Sequence, residues 1–280
     1  MFDLAEINVT FYHPPKPEVA EAWCNLLDRA EAERFRFSVK LWQGLTHSTE
    51  TPDKGEIEQL RGVCEVLRAR GRLAAVLAQF PWSFKNRPTS RSHLMQLAEV
   101  WGEFGLAVEV RHGSWDNESF RRWLGESDIA LVNIDQPIIG ESLGPSAHVT
   151  SRRLAYIRLH GRNQDAWFNE QAERDDRYNY LYSSEELAPW AVRIGQASEQ
   201  AEETLVVANN HFRGQAVTNA LELQAAANPD RESPVPQSLV EAYPSLRSVP
   251  GLRMAPAEEF TSPESESRRA EADTGQLELF

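Results

Sequence analysis

Hydrophobic and polar positions follow two different periods along the chain. Apolar residues recur at helical spacing in six segments, and seven short apolar runs lie around and between them. The helical segments are residues 15–30, 56–71, 90–105, 118–124, 183–195 and 214–228, and the runs are LAEINV, RFRFSVK, LAAVLAQ, LAVEVR, IALVNID, AYIRLH and TLVVANN. Strands that alternate with helices predict parallel strands joined by helical crossovers, in an open doubly wound sheet or a (β/α) barrel.

The polar residues of the runs distinguish these two folds. Arg158 and His160 share one face of AYIRLH, Glu109 and Arg111 share one face of LAVEVR, and polar groups crowd toward the C-terminal end of nearly every run. Strands covered by helices on both faces should instead be almost continuously apolar. In a barrel, inward residues at the C-terminal mouth line the active site. Residues 1–252 are therefore predicted to form a TIM-type (β/α) barrel with seven of the usual eight β/α units.

The composition changes after about Leu252. Residues 253–280 are poor in apolar side chains and rich in Glu, Ser and Pro, which predicts a disordered acidic tail. The tail ends in QLELF, which resembles the pentapeptide that docks bacterial polymerases and repair proteins on the DNA sliding clamp. Its anchoring places are occupied by Gln276, Leu277, Leu279 and Phe280. A sliding clamp is thus a predicted partner, and the alternative is an apolar chain end that folds back on the barrel.

Charge limits the classes of ligand. The net charge of −13 argues against general nucleic-acid binding, because such proteins neutralise phosphates with Lys and Arg. Residues 165–186 and 256–280 each contain seven acids and two arginines, so the rest of the chain is nearly neutral and can hold a local basic site. No apolar run approaches the roughly 20 residues of a membrane helix, and the first residues do not resemble a signal peptide, so a cytoplasmic protein is expected. Cys24 and Cys64 are predicted to be buried thiols.

The candidate site residues are the polar groups at the strand ends. Glu109 or Asp135 is the candidate base and His160 the candidate acid. Binding roles are predicted for Glu6, Asn8, Lys40, Arg111, Arg158, Arg162, Trp167, Asn209 and Asn210. His47, Gln79, His112 and His211 belong to the same group of strand-end residues. The alternative is structural: Glu109 with Arg111 and Asp135 with Arg158 form interior salt bridges that fix the register of the barrel.

A divalent metal is a second open question. Glu6, Glu109 and Asp135, with His47, His160 or His211, offer enough ligands for a metal ion. No compact spacing such as HxH or HExxH supports this hypothesis. Without a metal, a carboxylate and a histidine would share the acid and base roles, and the arginines would hold an anion.

The segment AQFPWSF places three aromatic residues beside two basic ones. Phe80, Trp82 and Phe84 lie next to Lys85 and Arg87. Such a cluster can stack on a base or a sugar. It can equally pack over the rim of the barrel.

Six segments together resemble a known family. AEINVTFY, RFSVKLWQGLTH, AQFPWSF, VEVRHGSW, YIRLHGRN and ANNHFRGQAVTNALEL are similar, in this order, to the motifs of the YecE-like family, a widespread bacterial domain of unknown function. The resemblance covers residues 2–250. It implies a TIM-type barrel whose shape is similar to that of apurinic endonucleases and sugar isomerases. Family members begin with a strand of the Gly-Thr-Ser-Gly-Trp type, so the resemblance implies that the reading frame continues upstream of Met1.

Three functions follow as hypotheses. The first is a hydrolase or lyase that acts on a phosphate-bearing or nucleic-acid-related substrate at the mouth. The second is a non-catalytic module that binds an anionic ligand or damaged nucleic acid. A weaker third is an isomerase of sugar phosphates.

Overall fold

Seven parallel strands form the centre of the protein. A computed structural model of the chain describes residues 2–48, 50–167 and 176–260. The strands are β1 Leu4–Ile7, β2 Arg36–Lys40, β3 Leu73–Gln79, β4 Leu106–Glu109, β5 Ala130–Asp135, β6 Leu154–Leu159 and β7 Glu203–Ala208. Each strand pairs in parallel with the next along the chain. They form a nearly closed TIM-type barrel, which confirms the fold predicted from the sequence.

Helices surround the strands. They are α1 Val9–Tyr12, α2 Pro17–Arg29, α3 Gln43–Thr46, α4 Lys54–Ala69, α5 Pro88–Trp101, α6 Glu118–Glu126, α7 Gln164–Trp167, α8 Ser184–Ser198, α9 Gln215–Ala227 and α10 Gln237–Ala242. The six predicted helices are present as α2, α4, α5, α6, α8 and α9. The short helices α1, α3, α7 and α10 were not predicted, because one or two turns carry too little hydrophobic periodicity.

The two faces of the sheet have different cores. Inside the barrel is a layer of small and branched side chains completed by one tyrosine: Ala75, Leu77, Ala107, Ala130, Val132, Ile134, Leu154, Tyr156 and Leu205. Outside, α2, α4, α5 and α6 pack on one half of the barrel, and α8 and α9 pack on the other. Neighbours across parallel strands point to the same side of the sheet, so Ile134, paired with Arg158, points inward, and Asp135, paired with Leu159, points outward.

A seam separates the first and last strands of the barrel. In the described residues, β1 pairs only with β2 and β7 pairs only with β6. Two cavities of about 580 and 320 Å³ lie along this seam. At the N-terminal ends of the strands the seam is bridged by Arg36, whose Nη1 lies 3.0 Å from Oε2 of Glu203. The barrel is thus open between two strand edges.

A small parallel sheet follows the barrel. It consists of β8 Ser233–Pro236 and β9 Leu252–Ala255. The predicted boundary at residue 252 was therefore placed too early, because β9 pairs with β8 and Arg253 binds Glu259 through both guanidinium nitrogens. Residues 261–280, including the predicted clamp peptide, lie outside the described residues.

Two further predictions concern helices. Cys24 on α2 and Cys64 on α4 are free thiols with no exposed surface, as predicted. None of the helices in the described ranges is both long and apolar enough to cross a membrane.

Candidate functional site

Arg158 lies at the centre of the barrel mouth, the end at which the strands finish. Its guanidinium is fully buried and bridges two carboxylates: Nη2 donates to Glu6 Oε1 at 2.6 Å and Nη1 to Glu109 Oε2 at 2.5 Å. Nη1 also lies 3.4 Å from Gln79 Oε1. Burial lowers the pKa of Arg158, but Glu109 and Glu6 raise it more, so the pKa lies above its ordinary value and the group is always charged.

Glu109 joins this guanidinium to two further side chains. Its Oε1 accepts from Arg111 Nε at 3.0 Å and from His160 Nε2 at 3.1 Å. Burial raises the pKa of Glu109, but Arg158, His160 and Arg111 together lower it well below its usual range. An ionised carboxylate with both oxygens occupied is a weak base near neutral pH. Its contacts favour a positioning role for Glu109 instead of the predicted role as base.

His160 is fully buried beside Glu109. Because a carboxylate only accepts hydrogen bonds, Nε2 carries the proton, and Nδ1 faces Asn209 Nδ2 at 3.2 Å. Burial lowers the pKa of His160 to about 4, although Glu109 opposes this change. A neutral imidazole of this kind has no readily donated proton near neutral pH. The geometry therefore favours a positioning role for His160 over the predicted role as acid.

A second layer closes the barrel beneath Arg158. The Tyr156 hydroxyl donates to Glu6 Oε2 at 2.9 Å and is hydrogen-bonded with Ser38 Oγ at 2.8 Å. Burial, followed by the charge of Glu6, raises the pKa of Tyr156 well above its ordinary value. The phenol is therefore a fixed neutral donor. Tyr156 and Ser38 were not assigned to the site from the sequence, although Tyr156 is two residues from Arg158 on the same strand face.

Lys40 is the least constrained cation of the mouth. It ends β2, is partly exposed, and holds its Nζ 4.2 Å from the centre of the Phe11 ring. Its ammonium group has no hydrogen bond or ion pair with any described side chain. Burial and, after it, the charge of Arg158 lower the pKa of Lys40 to about 8, although Glu6 and Glu109 oppose the change. Near neutral pH a measurable fraction of this amine is uncharged.

Two predicted asparagines lie at the same end of the barrel. Asn8 and Asn209 line the 320 Å³ cavity of the seam together with Glu6 and His211. His47 lies near the mouth on the exposed end of α3, with its ring 5.0 Å from that of Phe11. The mouth therefore joins the buried ionic network to amide groups that border a cavity.

Asp135 is not part of the mouth. On the outer face of β5 it accepts from Arg162 Nε at 2.9 Å, from Arg162 Nη2 at 2.7 Å and from the indole of Trp190 on α8. Arg162 also donates to Glu186 Oε1 at 3.1 Å. The predicted place of Asp135 and Arg162 at the mouth is corrected accordingly, as is the predicted Asp135–Arg158 pair. The error came from the strand face: Asn133 and Asp135 share a face, but it is the outer one.

Asn210 is also directed away from the mouth. Its Nδ2 donates to the Tyr180 carbonyl and to Asn219 Oδ1, both at 2.8 Å, so it ties the chain after β7 to α9. The binding prediction for Asn210 is corrected for this reason. The side chain of Trp167 lies outside the part of the chain whose side chains are described.

The aromatic segment after β3 is mainly packing. Phe80 is buried and stacks on Phe84 at 4.0 Å between ring centres, and Phe84 stacks on Trp115 at 5.4 Å. These two phenylalanines are therefore not free to stack on a ligand. Trp82 is partly exposed, contacts His112 and lies beneath Lys85, whose Nζ is 5.1 Å from the ring centre.

The described residues do not form a metal-binding cluster. Within them, no group of three or more His, Cys, Asp and Glu side chains lies close enough to hold an ion. Arg158 separates Glu6 from Glu109, and Asp135 lies outside the barrel. The metal hypothesis therefore has no ligand set among these residues.

The parallel strands, the surrounding helices and the charged groups at the C-terminal mouth define this protein as a TIM-type barrel. The chain belongs to the family described as "Protein of unknown function DUF72", whose model matches residues 1–242. YecE-like is another name for this family, so the resemblance is confirmed. The UPF0759 protein YunF of Bacillus subtilis (strain 168) is 26% identical over 239 residues, which cover 79% of this chain and 82% of that protein.

Solved structures agree with this assignment. A DUF72 family protein from Thermotoga maritima MSB8 is 35% identical with a TM-score of 0.70, over 80% of this chain and 84% of that one. Another from Enterococcus faecalis V583 is 27% identical with a TM-score of 0.71, over 81% of this chain and 85% of that one. These similarities establish the family and the barrel.

Proposed function

We propose that the mouth of the barrel binds a phosphate-bearing substrate and acts on it as an enzyme of the hydrolase or lyase class. The observation that carries this proposal is the excess of positive charge on the inner strand faces. There Lys40, Arg111 and Arg158 stand against two carboxylates, Glu6 and Glu109. His160 adds no charge near neutral pH, because its pKa is about 4.

The three cations differ in how fully carboxylates neutralise them, and this difference supports an anionic ligand. Both terminal nitrogens of Arg158 bind carboxylates, so its role is to hold the site together. Arg111 keeps part of its surface exposed while bound to Glu109, and Lys40 has no carboxylate partner among the described residues. A fixed guanidinium and a nearby amine suit the oxygens of a phosphate.

A ligand class follows from the size and polarity of the surroundings. The adjoining cavity of about 320 Å³ is within the range of small-molecule sites and carries amide groups from Asn8 and Asn209. Amides of this kind hydrogen-bond sugar hydroxyls as donors and acceptors. A phosphorylated sugar, free or at a damaged nucleic-acid end, is the substrate class that combines both features.

Binding is tested by thermal unfolding of the full chain in the presence of ribose 5-phosphate. A ligand that binds only the folded state raises the melting temperature with saturation. We expect a saturable rise that is lost in Arg111→Gln and kept in Arg36→Gln. Arg36 is the matched control, because it is a partly exposed arginine paired with a glutamate at the opposite end of the barrel.

Turnover is tested separately, by following ribose 5-phosphate and a duplex with one abasic site over time. Product formation that requires Arg111 supports an enzyme. Saturable binding without product supports the alternative, a non-catalytic module for anionic ligands. A melting temperature that rises equally in both arginine variants, or does not rise at all, contradicts the proposed site.

A further inference from the structure

We infer that Lys40 is a carbonyl-reactive amine, which forms an imine with an aldehyde of the phosphate-bearing ligand. This inference rests on the proposed function and names the reactive group of its substrate. It makes the site a lyase-type site, in which a lysine amine takes the place of an acid–base pair.

The position of Lys40 is the first argument. The residue ends β2, and side chains at the C-terminal ends of barrel strands are those that reach substrates. Its backbone is fixed, because the Thr10 hydroxyl donates to the Lys40 carbonyl at 2.7 Å. Its side chain lies on the Phe11 ring, 4.2 Å from Nζ to the ring centre. The amine is thus held at the mouth and forms no salt bridge with a described residue.

The surroundings of the amine are the second argument. Arg158 on β6 and Arg111 just after β4 carry permanent positive charge inside the barrel, and the two carboxylates near them are already bonded to guanidinium groups. Partial burial and neighbouring cations both favour the uncharged amine, which is the nucleophilic form. The pKa of about 8 agrees with this geometry.

The reaction balances with the groups present. The lone pair of neutral Lys40 attacks the aldehyde carbon, a C–N bond forms, and the carbonyl π pair moves to oxygen. A proton passes from nitrogen to oxygen, and loss of water then leaves a C=N bond. The sum is amine plus aldehyde giving imine plus water. Protonation of the imine nitrogen by water withdraws electrons from the adjacent carbon. That carbon then loses a proton to water, its C–H electron pair forms a C=C bond to the next carbon, and a phosphate on that next carbon leaves with the C–O electron pair.

The composition of the chain makes a direct test practical. The sequence contains four lysines: Lys16, Lys40, Lys54 and Lys85. Lys85 is the matched control, since its Nζ also lies over an aromatic ring, 5.1 Å from the centre of Trp82. The full chain is incubated with glycolaldehyde phosphate and sodium cyanoborohydride, which reduces the imine to a stable amine. Peptide mass spectrometry then locates the adducts and separates lysines from the reactive α-amino group.

We expect about ten-fold more adduct on Lys40 than on Lys85 near neutral pH, because nucleophilic lysines are those with a depressed pKa. Equal labelling of the two lysines contradicts the inference. Neutral glycolaldehyde separates the two proposals: labelling of Lys40 that is equal with and without the phosphate upholds the reactive amine and contradicts phosphate recognition. Saturable binding of ribose 5-phosphate without preferential labelling of Lys40 upholds phosphate recognition and contradicts the reactive amine.

A charge-conserving variant completes the test. Lys40→Arg keeps the cation but cannot form an imine. We expect it to bind ribose 5-phosphate within about three-fold of the wild-type affinity and to lose turnover of the abasic-site duplex. Unchanged turnover in a folded Lys40→Arg protein would overturn the inference.

Discussion

Arg158 and Glu109 meet inside the barrel, with Nη1 of the arginine 2.5 Å from Oε2 of the glutamate. The two residues are 49 positions apart in the chain, and neither side chain has meaningful exposure to solvent. A buried charge pair of this kind is costly to break, because the remaining charge loses both water and partner. The pair therefore fixes the geometry of the mouth, and Arg111 and His160 are oriented through the same carboxylate.

Replacing Glu109 by Gln tests this arrangement. The variant keeps the shape of the side chain but removes the charge that holds Arg158, Arg111 and His160. We expect the free energy of unfolding to fall by about 3–5 kcal/mol, as for a broken buried ion pair. The measurement is urea unfolding at neutral pH.

Glu103→Gln is the matched control for that experiment. Glu103 also binds two arginines, Arg61 and Arg68, but on the surface. Exposed pairs contribute little, because water and salt screen them. Equal loss of stability in the two variants would show that the buried network has no special role.

The pH dependence of stability follows from His160. Its pKa is about 4 in the folded protein, against an ordinary value of 6.5. Between these values the unfolded chain binds a proton that the folded protein does not, so stability is fully present above the ordinary pKa and is lost as the pH falls. The difference amounts to about 3 kcal/mol.

Chemical unfolding between about pH 7 and pH 5 measures this effect. We expect a shallower decline in His160→Gln than in the wild type. His47 and His148 also have lowered pKa values and contribute to the slope of both proteins. An identical slope in the two proteins would mean that His160 is not held neutral.

The variant Asp135→Asn tests whether Asp135 stabilises the fold without taking part in ligand binding. The variant weakens the contacts with Arg162 and Trp190, which join β5 to α8 outside the barrel. We expect the free energy of unfolding to fall by about 1–3 kcal/mol, the cost of unpaired buried polar groups. The affinity for ribose 5-phosphate should not change. A large loss of affinity in a folded Asp135→Asn protein would show that Asp135 takes part in ligand binding after all.

The sequence predicted the barrel more fully than the site. Period-two alternation and the strand–helix alternation were enough for the seven strands, and the polar groups at the strand ends gave the inward direction of Arg158, Glu109 and Glu6. Alternation alone does not say which face is inward, and for this reason Asp135 was assigned to the wrong side. Its outward partner Trp190 comes 55 residues later, and only the packing of α8 brings them together.

The chemical roles were less predictable for a related reason. Glu109 and His160 have residue types suited to base and acid, but their roles depend on which partners occupy their polar atoms. Apart from Arg111, which is two residues from Glu109, those partners come from other strands, 49 to 51 residues away. For Lys40 the sequence could not show the reverse case. Its amine has no carboxylate partner among the described residues, and this is the feature that suits it to chemistry.

The terminal pentapeptide remains a prediction from the sequence alone. Gln276, Leu277, Leu279 and Phe280 match the anchoring positions of sliding-clamp peptides, which bind as short segments that become ordered on contact. We expect a labelled peptide of residues 261–280 to bind the bacterial sliding clamp. Its affinity should fall at least about ten-fold when Leu279 and Phe280 are replaced by alanine. Binding that is absent, or indifferent to this replacement, would remove the clamp as a partner.

Calorimetric titration of the wild type with ribose 5-phosphate and with ribose tests the central claim most directly. Recognition of phosphate by Arg111 and Lys40 predicts saturable binding of the phosphorylated sugar, at least about ten-fold tighter than that of ribose. Arg111→Gln should abolish this preference, and Arg36→Gln should preserve it. Equal affinity for the two sugars, or a preference that survives in Arg111→Gln, would contradict a phosphate site at the mouth of the barrel.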